Sequence, residues 1–374
     1  MNSLNRIEIS RAALIHNFER CRQLSGNGAV MAMVKADAYG HGMIDCARIF
    51  IERGAVALGV AEALEGAELR AAGVTVPILV LAGVVPQTLP VILDARLTPV
   101  VVDPSILAEL SHLAGLRQLT VGLHLKLDAG MGRQGVLPAD FLALVRAVQS
   151  FPNLQIEGVM AHLPLADDRK SASSDQVLAT FAATTAQLAQ EVPGKCCLHL
   201  ANSGGLFYVA GAQFDMVRPG ISLYGYYPDG QEGRAAAAPP LLQPVMRFLT
   251  QVIQVRQVPA GTGLGYNHLF TTSRPSIIAV LPVGYEDGYL RCLSNKAQVL
   301  IGGRRAPVVG RISMNLTMVD VTDSGAVQVG DEAVLLGKQG DQEITADDLA
   351  EWMDTISYEV LCLFGKLNQR VLAA

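Results

Sequence analysis

The feature that most constrains this chain is a rhythm. Eight short apolar runs recur along its first part: Ala29–Val34, Ala57–Val60, Ile78–Leu81, Thr98–Val102, Leu119–Leu127, Ile156–Met160, Cys197–His199 and Phe214–Val217. Most are followed by Gly, Pro, Asp or Ser and then by a stretch of helical composition. Glu62–Ala72 is rich in Ala, Leu and Glu, and Leu137–Ser150 carries an apolar stripe through Leu142, Leu144 and Val145. A strand covered on both faces reads as a continuous apolar run, and strands alternating with helices read as a parallel sheet. Eight such units in about 230 residues predict a (β/α)8 barrel. An open doubly wound sheet is the competing arrangement, but no GxGxxG follows the first strand.

After Arg234 the texture changes. Ala235–Ala238 and Pro239-Pro240 read as a linker. Beyond them lie β-rich runs, Val245–Val258, Ile277–Val283, Val299–Ile301, Ala306–Val309 and Met318–Val321, and a late helical stretch, Ala346–Met353. Gly302-Gly303 predicts a tight hairpin turn. The expected division is a barrel over residues 1–238 and a mainly-β domain over 239–374, which suits a chain of 374 residues. Only 5% of residues are aromatic, so the core must be built from Ala, Val, Leu and Ile, and any clustering of the nine tyrosines matters. A net charge of −5 with no basic stripe argues against nucleic acid or anionic lipid as a partner. The richest apolar run, Val74–Val85, is interrupted by Pro77 and Gly83 and is no membrane span. Met1–Arg6 has no apolar signal core, so a cytosolic location is expected. Six cysteines without CxxC or HExxH spacing fit a reducing compartment and no structural zinc.

In such barrels chemistry sits at the carboxyl ends of the strands. The first run ends in Val34-Lys35. A lone lysine is usually a solvated residue, but this one follows five apolar residues, and a partly desolvated amine can act as a base or form a Schiff base. The seventh and eighth runs lead into Asn202-Ser203-Gly204-Gly205 and Arg218-Pro219-Gly220-Ile221-Ser222. Either loop alone reads as a turn; the pair, in this order, is where the fold usually cradles phosphate. In the fifth run His124, Lys126 and Asp128 alternate with Leu123, Leu125 and Leu127, which directs the charged set inward. An inward lysine needs a partner or a chemical modification. Asp128 is one candidate partner. Arg133, flanked by glycines in Gly130–Gly135, is suited to reach a carboxylate or to lie on the surface.

Several motifs run in order along nearly the whole chain: Ala32–Gly42, Lys126–Gly135, Gly158–His162, Asn202-Ser203, Arg218-Pro219-Gly220, Gly284–Tyr289, Gly310–Met314 and Ile356–Glu359. Together they resemble the bacterial alanine racemases, which use pyridoxal 5′-phosphate (PLP). The resemblance implies an isomerase that interconverts L- and D-alanine and supplies D-alanine for peptidoglycan. It implies that Lys35 holds PLP covalently and then serves as a base on one face of the substrate Cα. Tyr266 is the implied base on the other face, supplied by the second domain of a partner chain, so a homodimer with shared active sites follows. His162 is the implied relay to Tyr266, with Arg218 beyond it and facing the pyridine nitrogen. Tyr39, Ser203, Gly220, Ile221 and Tyr358 are implied to bind the cofactor phosphate, with Asn202 and His162 in the same cofactor pocket. Arg133 and the backbone of Met314 would take the substrate carboxylate. The residue matching Lys126 is often carbamylated in relatives. No metal is implied.

Three positions depart from the family pattern. Asn315 stands where an Asp usually follows the Met, Asn267 where a Gly usually follows the tyrosine, and Pro164 where a small residue is usual. The nearest rival is a serine or broad-specificity racemase of the same fold, since one methylene or hydroxyl alters selectivity only modestly. A PLP decarboxylase of the same architecture would have an acidic residue where this chain has Arg218. A non-catalytic PLP-binding protein would lack the second domain with Tyr266.

Overall fold

The computed structural model describes residues 3–192, 194 and 196–373. It contains two compact units. One comprises residues 14–38 and 43–242; the other comprises residues 3–13, 39–42 and 243–373.

The first unit is built on eight parallel strands: β1 (Ala29–Met33), β2 (Ala57–Val60), β3 (Ile78–Val80), β4 (Thr98–Val101), β5 (Val121–Lys126), β6 (Leu154–Met160), β7 (Cys197–His199) and β8 (Met216–Val217). Each apolar run seen in the sequence supplies one of them. Strands β1 to β7 pair in sequence order and β8 pairs with β1, so the sheet curls into a nearly closed barrel. Across the seam the Leu198 N–H donates to the Asp215 carboxylate at 2.9 Å, and the Asp215 N–H to the Leu198 carbonyl at 3.0 Å. The core is mostly small aliphatic, as the aromatic poverty requires. Val30, Leu58, Ile78, Val100, Leu123, Leu125 and Val159 are all buried.

The second unit is mainly β. The N-terminal strand Arg6–Ser10 is inserted between Met246–Gln251, which runs antiparallel to it, and Gln369–Ala373, which runs parallel. The sheet continues through Glu332–Gln339 and Gln298–Ile301 to Arg304–Pro307. The hairpin at Gly302-Gly303 forms with both glycines at positive φ, 59° and 74°. The long run Val245–Val258 is two strands, not one. It breaks at Val252-Ile253, and Gln254–Val258 joins a separate sheet with Ser276–Leu281 and Thr317–Asp320. Among the described residues no helix is long and apolar enough to cross a membrane.

Candidate active site

Lys35 stands immediately after β1 and the buried Val34, at the carboxyl end of the strand. The four residues that follow, Ala36, Asp37, Ala38 and Tyr39, all have φ between 53° and 56° and form a left-handed turn. Such backbone costs an L-residue about 1–2 kcal/mol, and strain of this kind concentrates at functional sites. Two carboxylates hold the turn: Glu65 accepts the Ala36 N–H and Asp37 accepts the Met43 N–H, each at 2.7 Å. Glu65 also takes the N–H groups of Ala61 at 2.7 Å and Glu62 at 3.2 Å, fixing the start of helix Ala63–Ala71.

At the same end of the barrel four cations converge. Lys35, Arg133 and Arg218 act electrostatically on Lys126, and all four act on His162. Burial first, then these neighbours, pushes Lys126 down to about 8. Its ammonium donates to Gln134 Oε1 at 2.8 Å, while the Asp128 carboxylate is occupied by the Gly130 and Gly132 N–H groups at 3.1 and 3.0 Å. The inward lysine is therefore hydrogen-bonded to an amide, while Asp128 acts on it through its negative charge, which partly offsets the fall. Arg133 is exposed and makes no hydrogen bond or ion pair among the described residues. Burial and the surrounding cations push His162 down to about 3, so it is neutral at neutral pH. Asn202 accepts the Gly205 N–H at 2.9 Å, which turns its amide NH2 toward the Leu163 carbonyl at 3.2 Å and, at 3.5 Å, toward His162 Nε2.

Arg218 follows β8 and is 4% exposed. A guanidinium has five N–H donors and no acceptor. Nη1 donates to the His199 carbonyl at 2.8 Å and to His199 Nδ1 at 3.0 Å; Nη2 donates to the carbonyls of Ala161 at 2.7 Å and Leu200 at 3.1 Å. Four donors are thus used inside the barrel, and the Nε–H has no partner among the described residues. Because Arg218 can only donate, His199 Nδ1 is an acceptor and its proton lies on Nε2, which donates to His124 Nδ1 at 2.7 Å. Gly158 of β6 stands opposite His124 in the register; a Cβ there would lie 2.4 Å from His124 Nδ1. Burial, then the Arg218 charge, holds His124 down to about 4 and His199 well below its usual range, so both are neutral.

Beside Arg218 the buried Ser203 hydroxyl accepts the Gly220 N–H at 2.9 Å and the Ser222 N–H at 3.3 Å. Its own proton has no acceptor among the described residues. Ile221 follows Gly220 in the same buried turn. A buried hydroxyl with a proton to give, next to glycine backbone and a cation, suits a phosphate.

The second unit carries the remaining candidates. The Tyr39 and Tyr358 rings lie 6.1 Å apart, and burial pushes the Tyr39 phenol up, so it stays protonated. They can approach because Gly40 and Gly365 touch: a Cβ on Gly365 would stand 1.8 Å from the Gly40 carbonyl oxygen. Tyr266 is 67% exposed on the loop of a small hairpin, Gly263–Leu264 with Phe270–Thr271. The next residue, Asn267, has φ 57°. That explains this departure from the family's glycine, since Asn is among the non-glycine residues that best tolerate the left-handed region. Met314 is 53% exposed in a turn closed by Ser313 N–H to the Leu316 carbonyl at 3.0 Å. Its carbonyl accepts the Glu286 N–H at 3.1 Å, and Asn315 Nδ2 donates to the Glu286 carboxylate. Tyr266, Tyr285 and Met314 line one open groove of about 1040 Å³.

A family model described as alanine racemase, N-terminal domain, matches residues 9–228, and one described as alanine racemase, C-terminal domain, matches residues 245–372. An alanine racemase of Syntrophobacter fumaroxidans is 41% identical over 96% of this chain and 95% of its own. One of Thermodesulfovibrio yellowstonii is 40% identical over 99% and 98%. Among solved structures, the Bacillus anthracis alanine racemase with bound L-Ala-P superposes with a TM-score of 0.92 at 31% identity, covering 100% of this chain and 96% of that one. The Bartonella henselae alanine racemase, described with covalently bound pyridoxal phosphate, gives 0.88 at 30% identity, covering 99% of each. Fold and site thus define a racemase, an isomerase built on a barrel and a mainly-β unit. The chain belongs to the alanine racemase family.

Three features of the site were not singled out from sequence: Glu65 under the left-handed turn, the His124–His199 contact, and Gln134 on Lys126. Glu65 had a signal, its position three residues after Glu62 in a capping box. The other two depend on strand register and loop path.

Proposed function

We propose that this protein interconverts L- and D-alanine by a two-base mechanism with PLP as cofactor. When bound, PLP withdraws electron density from the substrate Cα and so weakens its C–H bond. Lys35 holds the cofactor and, once released by substrate, takes or returns the proton on one face of Cα. Tyr266 does so on the other face, with the neutral His162 relaying charge toward it. Ser203, Gly220, Ile221, Tyr39 and Tyr358 bind the phosphate, and Asn202 sets the His162 ring. Arg133 and the Met314 backbone orient the substrate carboxylate. The observation that carries the reading is the Nε–H of Arg218, the one donor of that guanidinium without a partner among the described residues. A donor there suits an unprotonated pyridine nitrogen, which limits charge delocalisation and disfavours transamination.

The exposure of Tyr266 supports a homodimer in which the tyrosine completes the site of the partner chain. Lys126, with its depressed proton affinity, is suited to carbamylation, which would place an anion beside Arg133. A cytosolic enzyme that supplies D-alanine to peptidoglycan synthesis is the role that fits. The test is incubation of the PLP-loaded protein with each alanine enantiomer in D2O. Conversion of both with deuterium at Cα is expected. Faster exchange with serine would point to a broad racemase, and release of CO2 to a decarboxylase.

A further inference from the structure

The segment Asp128–Gly135 leaves the carboxyl end of β5 and returns to it. Its base is closed by backbone: Val136 N–H donates to the Lys126 carbonyl and Asp128 N–H to the Val136 carbonyl, each at 2.9 Å. The return requires Gly135, whose φ is 122° and whose Cβ would stand 2.9 Å from both the Lys126 carbonyl and the Asp128 nitrogen. Its first half is held by the Asp128 carboxylate through Gly130 and Gly132. Between Gly132 and Val136, where Arg133 sits, the described hydrogen bonds all run through the Gln134 side chain.

That side chain joins two different strand ends. Nε2 donates to the Ala82 carbonyl, just past β3, at 2.6 Å, and Oε1 accepts from Lys126 Nζ at 2.8 Å. The two bonds fix which end of the amide faces which group: only the NH2 can donate to a carbonyl, so the oxygen must face the lysine. Room for the amide comes from Gly83, where a Cβ would lie 2.9 Å from Nε2. The sequence neighbour Arg133 has no tie of its own among the described residues.

We infer that Gln134 is the positioning residue for Arg133: it pins the far half of the loop to Ala82 and Lys126 and so holds the guanidinium where a substrate carboxylate arrives. The inference rests on the reading that Arg133 binds that carboxylate. A guanidinium on an untethered loop must be ordered at each binding event, which weakens substrate binding and leaves the proton transfers untouched.

The test compares wild type, Gln134→Ala and Gln134→Glu as PLP-loaded full-length proteins. For Gln134→Ala, KM for alanine should rise about three- to thirtyfold while kcat stays within about twofold, the split expected when binding common to ground and transition states is lost. Amide hydrogen exchange, read independently of activity, should speed up at residues 130–136 in this variant and not in helix Pro138–Gln149. Gln134→Glu keeps the Lys126 contact but loses the donor to Ala82, so it should show an intermediate KM. Unchanged KM and exchange in Gln134→Ala would overturn the inference, as would equal losses of kcat and kcat/KM. If wild type does not racemise alanine, the functional reading fails; accelerated exchange at residues 130–136 would still support the tether, and unchanged exchange would still overturn it.

Discussion

The two units present their chemistry in opposite ways. In the barrel most functional groups are buried and bonded, Arg133 being the exposed exception: Arg218 and Lys126 are each 4% exposed, and the imidazoles of His124, His162 and His199 are held neutral by burial and neighbouring cations. In the second unit Tyr266 and Met314 stand on turns that open to solvent. A preorganised polar interior stabilises charge without rearrangement, which suits the cofactor side of a reaction. The exposed Tyr266 hydroxyl makes no hydrogen bond among the described residues. On the function proposed above, the barrel would hold most of one half-site, and the β unit would supply groups that a second surface completes.

The strongest way to break this comparison is to remove one base from each side. Lys35→Ala and Tyr266→Phe should each lower racemisation by at least about 10³-fold. They should differ in what survives. In Tyr266→Phe the Lys35 face remains, so solvent deuterium should still enter Cα from one enantiomer and not from the other. Symmetrical loss of exchange from both enantiomers would remove Tyr266 as the second base. Mixing the two variants should restore some activity, because a dimer with shared sites then contains one intact pair.

A second test asks whether the barrel's buried network also carries stability. Arg218→Met strips donors from His199, Ala161 and Leu200, and unpaired buried acceptors of this kind should cost about 2–4 kcal/mol in total. A lowered Tm together with weaker PLP retention is expected; an unchanged Tm would show that water replaces the guanidinium. Arg218→Glu should instead protonate the pyridine nitrogen and raise transamination relative to racemisation. No gain in pyruvate formation from alanine would count against Arg218 at that nitrogen.

The third effect is smaller and depends on pH. Lys126 falls from 10.5 to about 8 in the folded chain, so between these values the unfolded chain binds a proton that the folded chain does not. Stability must then rise as pH goes from about 8 toward 10.5. Urea unfolding in CO2-free buffer should show that slope in wild type and lose it in Lys126→Met. If the slope persists in the variant, it belongs to another group. A slope that vanishes on adding bicarbonate to wild type would identify the carbamate.

Much of the barrel was legible because strands buried on both faces leave an unbroken apolar signature, and each of the eight runs supplies a strand. The second unit was less legible. Arg6–Ser10 is short, alternates charge with isoleucine, and becomes a strand only by pairing with residues more than two hundred positions away. The site divides the same way. Lys35, Ser203 and Arg218 were visible because strand ends are. The Lys126 partner was not, since Asp128 is nearer in sequence and only the folded path of a glycine-rich loop brings Gln134 to it. His124 on β5 meets His199 on β7, a contact set by register through three strands.

The smallest predicted effect lies on the exposed side, at Asn315, where the resemblance leads one to expect an Asp. Asn315 donates to Glu286, whose N–H in turn donates to the Met314 carbonyl at 3.1 Å. Asn315→Asp would replace that donor with a carboxylate facing a carboxylate. Both groups are exposed, so the repulsion is screened and should amount to about 1 kcal/mol or less. KM for alanine should therefore rise by no more than about fivefold, more at low ionic strength than at high, with kcat unchanged. The double variant Asn315→Asp with Glu286→Gln should recover wild-type KM, because an amide then faces the new carboxylate. If Asn315→Asp raises KM equally in both backgrounds, the residue acts on substrate directly and not through Glu286 and the Met314 turn.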